Sequence, residues 1–298
     1  MLTDAEKSEF VLSTIRPMAE HTLPCVTQVI GVLDEHQGEF LGTALYCLLD
    51  GRQAVVTAAH VLREAAASGK YGSLAFTRGS EQAPGIVAGL IHYFDEFDLA
   101  IYRPERDFFI GQDKLYWPEA RIERTIAPAK TDYLFMQGFP ARFARFSTLL
   151  RGGVSESLSS GAMMRLEATE GSADDPSTPS DGADIPRGLL REHEFAFDFS
   201  PDSQLIDDPG RPMSGNEQED CRRIFAPGEG TTLPGQKPAG AFGLSGSPVW
   251  RVGASGQTIR SWDPRASQLV GFVTQWNSEW GVLIATSSAK LLEVSSQI

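Results

Sequence analysis

The sequence predicts an all-β chain, and three features of it do so. Short apolar or alternating segments of strand length recur throughout, bounded by Gly, Pro, Asp and Ser. About six of them fall before residue 105, enough for one small barrel, and a second set begins at Tyr133. Helical spacing is confined to the two ends and to one segment after Thr57.

Residues 3–20 read as a helix. Thr3 can cap it, Glu6 three positions on completes a capping box, Val11, Ile15 and Met18 share one stripe, and Pro24 ends it. Residues 1–24 are therefore expected to form an extension packed on the outside of the body, or a docking arm. Val26–Leu33 and Phe40–Leu49 read as a hairpin around the polar turn 34–39. Val55–Thr57 is a short strand and Ala58–Ala67 is helical, which puts His60 at a strand-to-helix corner with its ring free to face a cleft. Ser73–Arg78, Gly85–Phe94 and Leu99–Arg103 complete a first barrel over residues 25–120.

Residues 104–130, rich in Pro, Arg and Glu, read as the crossing to a second barrel over residues 121–298. Its strands are expected at Tyr133–Gly138, Phe146–Gly152, Met163–Ala168, Phe195–Phe199, Pro248–Val252, Leu269–Thr274 and Gly281–Ala285, followed by a terminal helix, Ser287–Val294. Two long acidic and polar stretches, 170–186 and 201–237, interrupt the series. Loops of that length in a compact domain usually carry function, so they are candidate lids over the cleft. No internal repeat is visible.

With 298 residues and 41% hydrophobic content the chain can bury a large core. A net charge of −13 gives a long-range field that disfavours nucleic acid and anionic membrane as partners. No apolar run is long enough to span a bilayer, and the N-terminus lacks the basic and apolar regions of a signal peptide, so the cytoplasm is the expected location. Cys25, Cys47 and Cys221 are too few and scattered for a disulfide framework and are expected to be buried thiols in a reducing compartment. His21, His36, His92 and His193 lack metal-ligand spacing, and neither a metal nor a cofactor is expected.

The chemistry concentrates in Gly243-Leu244-Ser245-Gly246-Ser247-Pro248. Glycines flanking a serine allow backbone conformations closed to other residues, so the N–H groups of Gly243 and Ser245 can turn toward one point beside the hydroxyl, the layout of acyl transfer. A serine hydroxyl also needs a base and a group to orient that base. Thr57-Ala58-Ala59-His60 and Asp98-Leu99-Ala100 supply them. Asp95 competes with Asp98, but only Asp98 is followed directly by Leu-Ala-Ile; Ser247 likewise competes with Ser245.

On these three motifs, in this order, the chain resembles the chymotrypsin/trypsin-fold serine proteases of the bacterial, disulfide-free kind. Gly42-Thr43-Ala44, Gly138-Phe139-Pro140 and Val270-Gly271-Phe272-Val273-Thr274 are weaker echoes of the same family. The resemblance implies two six-stranded antiparallel β-barrels and a His60, Asp98 and Ser245 triad. It further implies an oxyanion hole from Gly243 and Ser245. Substrate contacts would come from Ala239, Thr274, Gln275, Trp276 and Gly281. Ala239 stands where trypsin-like relatives carry an aspartate for basic residues, and Trp276 would narrow the pocket toward a small or apolar residue. Cys47 lies near where secreted relatives place one half of the bridge closing the histidine loop, with Val61 in place of the other half. Leu244 replaces the aspartate that animal relatives use for activation by a new N-terminus, so the serine loop must be ordered in another way. The implied function is a cofactor-free serine endopeptidase acting on protein or peptide substrates and held in check by loops or an activating partner. A peptide-binding or regulatory module of the same fold without turnover is the alternative.

Overall fold

The computed structural model describes residues 14, 17–33, 38–77, 90–104, 116–125, 128, 133–139, 161–162, 166–167, 190–198, 205–206, 243–252, 263–277 and 282–298. Six strands come from the N-terminal half: β1 (Val26–Val32), β2 (Gly38–Leu49), β3 (Arg52–Ala58), β4 (Ser73–Thr77), β5 (Ile91–Phe94) and β6 (Leu99–Tyr102). Eight follow: β7 (Tyr133–Met136), β8 (Gly161–Ala162), β9 (Leu166–Glu167), β10 (Glu194–Asp198), β11 (Leu205–Ile206), β12 (Pro248–Arg251), β13 (Gln268–Asn277) and β14 (Val282–Ser287). One antiparallel sheet runs β4-β1-β2-β3-β6-β5 and the other β10-β14-β13-β12-β7-β9, while β8 and β11 pair as a separate ribbon.

Numbered one to six in chain order within its own sheet, the first sheet reads 4-1-2-3-6-5 and the second 3-6-5-4-1-2. These are two cuts of a single ring, 1-2-3-6-5-4. Two halves with one topology and no visible sequence repeat make this an all-β, chymotrypsin-like two-barrel fold. The chain crosses between halves near residue 120: Trp117 bridges to Cys47 in β2, and Ile122 bridges to Leu269 in β13.

Alternation along the strands explains why β2, β3 and β6 read as nearly continuous apolar runs. Leu45, Cys47, Ala54, Val56, Leu99 and Ile101 face a large cluster that also takes in Trp117 and, from the other half, Phe135, Trp250 and Phe272. Their neighbours Ala44, Tyr46, Val55, Ala100 and Tyr102 face the opposite way, onto Leu62 and Phe76. Both faces are buried, so apolar residues dominate each, and the buried threonines Thr43 and Thr57 are hydrogen-bonded to one another. Leu134, Met136, Leu244, Val249 and Val273 form the second half's own cluster.

The N-terminal segment is the first correction. Residues 17–22 are helical and a 3-10 turn, Leu23–Cys25, leads into β1. Instead of packing outside, the segment enters the shared core: Met18 is 0% exposed, and Leu23 and Cys25 join Trp117 and Trp250 in the same cluster. The C-terminal helix, Ser288–Ser295, adds Leu291 and Val294 to the same core and is capped by the Ser287 hydroxyl accepting from Ala289 N–H. The expected capping box at Thr3 and Glu6, the stripe positions Val11 and Ile15, the strand 146–152, the loop 170–186 and all of 201–237 except β11 lie outside the described residues.

The second correction concerns the histidine loop. Cys47 pairs with Ala54 and points into the shared core, where burial pushes its thiol pKa up. Gly42 is the residue facing Val61; a Cβ there would lie 3.0 Å from both Val61 methyl groups. Positions 42 and 47 differ by an odd number, so on one strand they face opposite sides.

Candidate active site

His60 is the second residue of a helix, Ala59–Ser68, that starts directly where β3 ends. Its Ncap, Ala58, has no side chain able to satisfy the first N–H groups. Asp98 does so from across the sheet. Its carbonyl accepts from Ala59 N–H at 3.0 Å and its Oδ1 from His60 N–H at 2.8 Å. Its other oxygen, Oδ2, lies 2.6 Å from His60 Nδ1. One carboxylate thus caps the helix at its positive end and holds the imidazole. A carboxylate only accepts, so Nδ1 carries the hydrogen and Nε2 is the ring's free acceptor.

Asp98 sits at φ 49°, a left-handed conformation that Asp tolerates better than most residues. It closes the turn 95–98, which is held from both halves of the molecule. Arg63 on the histidine helix makes a bidentate pair with Asp95, at 2.6 and 2.7 Å, and stacks 4.1 Å over the Tyr93 ring. From the other half, Thr286 Oγ1 donates to the Phe97 carbonyl at 2.8 Å and Arg191 to the Glu96 carbonyl at 2.7 Å. His193 meets the Phe97 ring edge-on, 4.8 Å between centroids. Between the two candidate aspartates, the geometry gives the histidine to Asp98 and the exposed arginine to Asp95.

Ser245 lies on the loop before β12. Gly243 and Gly246 take φ 92° and 84°, values that glycine adopts without strain. A Cβ on Gly246 would lie 2.1 Å from the Thr43 carbonyl oxygen, so the loop presses directly against the first sheet. Thr43 N–H donates to the Ser245 carbonyl at 2.9 Å, and Gly246 N–H to the Val273 carbonyl at 2.7 Å. Leu244, fully buried, anchors the loop in the apolar core of its own half, where an activation aspartate would need a charged partner. Ser247 is 0% exposed, its N–H donating to the Leu244 carbonyl at 2.9 Å.

His60, Ser245 and Gly243 line one cavity of about 270 Å³. Phe40, Leu41, Val61 and Ala65 give it an apolar floor, and Glu39 and Glu64 add carboxylates. Lys70 and Tyr71 hydrogen-bond Glu39 and hold its pKa below the usual carboxylate range. Ser247 does not line this cavity and neither do Thr274, Gln275 and Trp276. Those three continue β13 beyond Phe272, the last residue paired with β12, and Gln275 and Trp276 pair with Ile284 and Leu283 of β14. Ala239 and Gly281 lie outside the described residues, as do His36 and Cys221. Among the described residues no three His, Cys, Asp or Glu side chains cluster as a metal site.

No protein-family model and no curated protein matches the chain. Among solved structures it is similar, at 14% identity, to an alanine mutant of Rv3671c from M. tuberculosis H37Rv in an inactive form; 96% of this chain and 92% of that one are covered, with a TM-score of 0.44. A second, described as Rv3671c protease in an inactive form, is also 14% identical, covers 95% and 92%, and has a TM-score of 0.42. At this distance the strand order carries the fold assignment and the side-chain geometry carries the site.

Sequence reasoning missed several residues that build the site. Thr286 reaches across 189 residues and has no local signature, and Thr43, though part of Gly42-Thr43-Ala44, reaches across 200 residues to a partner that the motif does not name. Phe40 and Leu41 sit in a predicted strand, yet which face of it meets a cavity depends on the partner sheet. Arg63 had a signal: it falls one turn after the histidine motif, within reach of whatever carries the orienting acid.

Proposed function

We propose that the chain is a serine endopeptidase in which His60, Asp98 and Ser245 form a catalytic triad. The observation that carries this reading is the His60 Nδ1 hydrogen bond to Asp98, which leaves Nε2 as the acceptor in the cavity that Ser245 also lines. In the acylation step Nε2 takes the Ser245 proton as the oxygen attacks a peptide carbonyl, and then gives it to the leaving nitrogen. Water repeats the sequence on the acyl-enzyme. Asp98 fixes the tautomer and stabilises the imidazolium formed in between. The N–H groups of Gly243 and Ser245 receive the oxyanion, with about 3 to 4 kcal/mol of transition-state stabilisation per donor.

The leaving group departs on the histidine side, so the cavity floored by Phe40, Leu41 and Val61 receives the residue after the scissile bond. The acyl half lies along Thr274, Gln275 and Trp276, whose strand outruns β12 and offers backbone groups for pairing with an extended peptide. Ala239 and Gly281 belong to this proposal as substrate contacts on the strength of the family resemblance alone. A cytoplasmic setting belongs to the same proposal, supported by the buried thiol of Cys47, which is in no disulfide. So does control by a partner or by loops 170–186 and 201–237.

A fluorophosphonate probe tests the reading. Covalent labelling of the wild type at Ser245, absent in Ser245→Ala and in His60→Ala, is the expected result. A wild type that stays unlabelled at every pH, including after limited proteolysis, would mean a peptide-binding module without turnover.

A further inference from the structure

Thr43 sits on β2, is 0% exposed, and touches three other segments of the chain through all of its polar groups. Its N–H donates to the Ser245 carbonyl at 2.9 Å and its carbonyl accepts from Thr57 Oγ1 at 2.7 Å. Its hydroxyl accepts from Phe139 N–H at 3.0 Å and donates to the Gly243 carbonyl at 3.0 Å. We propose that Thr43 is a positioning residue that sets the orientation of the Gly243–Leu244 peptide, and through it the oxyanion donors. This rests on the hydrolase reading above.

The loop consists of linked planes. Ser247 N–H binds the Leu244 carbonyl, and in a trans peptide the N–H points opposite to the C=O, so the Ser245 N–H is aimed away from that turn. The preceding plane, Gly243–Leu244, hinges on a glycine at φ 92°, where rotation is least restricted and an external lock is needed. The Thr43 hydroxyl is that lock, and the Phe139 amide gives it polarity. With Phe139 N–H occupying its acceptor side, the hydroxyl presents its hydrogen to the loop. A carbonyl satisfies that hydrogen. A peptide turned over would present Leu244 N–H, leaving a buried hydroxyl proton without an acceptor and the Gly243 carbonyl without its donor. The arrangement therefore selects one of the two peptide orientations before substrate arrives, and does so from the opposite barrel.

The test compares Thr43→Val, which keeps the shape and removes the hydroxyl, with Thr43→Ser, which keeps the hydroxyl and removes a methyl group. Labelling by the fluorophosphonate is resolved into probe affinity and maximal rate. Thr43→Val is expected to lower the maximal rate about 10- to 100-fold, with affinity within about twofold. Thr43→Ser is expected to stay within about threefold of wild type even where it melts lower. Backbone amide shifts of Gly243, Leu244 and Phe139 by NMR should move in Thr43→Val and hold in Thr43→Ser. Equal labelling rates in Thr43→Val and wild type would overturn the proposal. If the wild type itself does not label, the hydrolase reading fails, and the amide shifts decide Thr43: unmoved shifts in Thr43→Val remove it as the lock, and moved shifts keep it. If Thr43→Val does not fold, Thr43→Ala and Thr43→Ser are compared, and a maximal rate that follows melting temperature and not the hydroxyl overturns the proposal.

Discussion

Replacing Asp98 by Asn separates charge from shape at the residue that orients the histidine. An amide has one oxygen and one NH2, and the structure decides which goes where. The Oδ1 position faces the His60 backbone N–H at 2.8 Å and the Oδ2 position faces His60 Nδ1 at 2.6 Å. An NH2 at the first position would oppose a backbone donor that cannot change its role, so the amide oxygen takes that place and the NH2 turns to the ring. The ring then accepts at Nδ1 and carries its hydrogen on Nε2, which can no longer take a proton from Ser245. The expected loss is roughly 10⁴-fold in the rate of fluorophosphonate labelling, about 5 kcal/mol of barrier. Stability should change by no more than about 1 kcal/mol, because both hydrogen bonds are kept, the one to the ring with its direction reversed, Asn tolerates the left-handed backbone of this site, and only the charge at the helix start is lost. The measurement is the second-order labelling constant against pH, with urea unfolding as the control. A labelling rate within tenfold of wild type in a folded Asp98→Asn protein would refute the assignment of the base.

Glu123→Gln reports on how the segment after the crossing is fixed to the second barrel. Burial raises the Glu123 pKa, but the amides of Thr125 and Arg124 and the charge of Arg251 outweigh it, so the folded value lies below the unfolded one. Its contribution is then full above the ordinary glutamate range and lost as pH falls through it. Wild-type melting temperature should drop more steeply between about pH 5 and about pH 3 than that of the variant, with the variant about 1–3 kcal/mol less stable near neutrality; parallel curves would count against the pair. Leu244→Ala removes the anchor of the Ser245 loop from a fully buried site. It should cost about 2–5 kcal/mol in urea unfolding, and a loss under about 1 kcal/mol would show that the loop does not depend on it. Cys47, buried and with its pKa pushed up, should resist thiol reagents until denaturant is added. Peptide mapping that finds it labelled in the folded protein would contradict its place in the shared core.

The parts of the site that sequence made legible are those whose chemistry is compressed into a few consecutive residues. His60 follows the end of a strand, Asp98 precedes one and Ser245 lies between two glycines, so each motif carries its own backbone requirement. The hairpin at Asp50-Gly51 carries an equally local signal, one that the strand expected at Val55–Thr57 does not use. Both residues have positive φ, 52° and 70°, and this Asp-Gly pair marks a two-residue turn that starts β3 at Arg52, three residues before the Val55 expected. Other features need partners that no local pattern names. The stripe through Met18 predicts an apolar face, and an apolar face suits the outside of a barrel as well as the space between two. The parity of Cys47 against Gly42 could be counted, but which face of β2 meets the histidine helix is settled only by the fold.

Each half of the molecule holds in place an element of the candidate site that belongs to the other half. The turn carrying Asp98 belongs to the first barrel and is tied by Thr286 and Arg191 of the second. The loop carrying Ser245 belongs to the second and is tied by Thr43 of the first. Each such hydrogen bond contributes about 1 kcal/mol net, too little to dock two barrels. Docking must come from the apolar cluster they share, where Trp117, Trp250, Leu45 and Phe272 meet the N-terminal segment and the C-terminal helix. The hydrogen bonds then set orientation within a contact already made, which is what the proposed proton transfer requires, since a misplacement of about 1 Å can cost on the order of 100-fold. It follows that loosening the seam at a distance, for example by shortening Met18 or Leu291, should lower labelling of Ser245 before it unfolds either barrel.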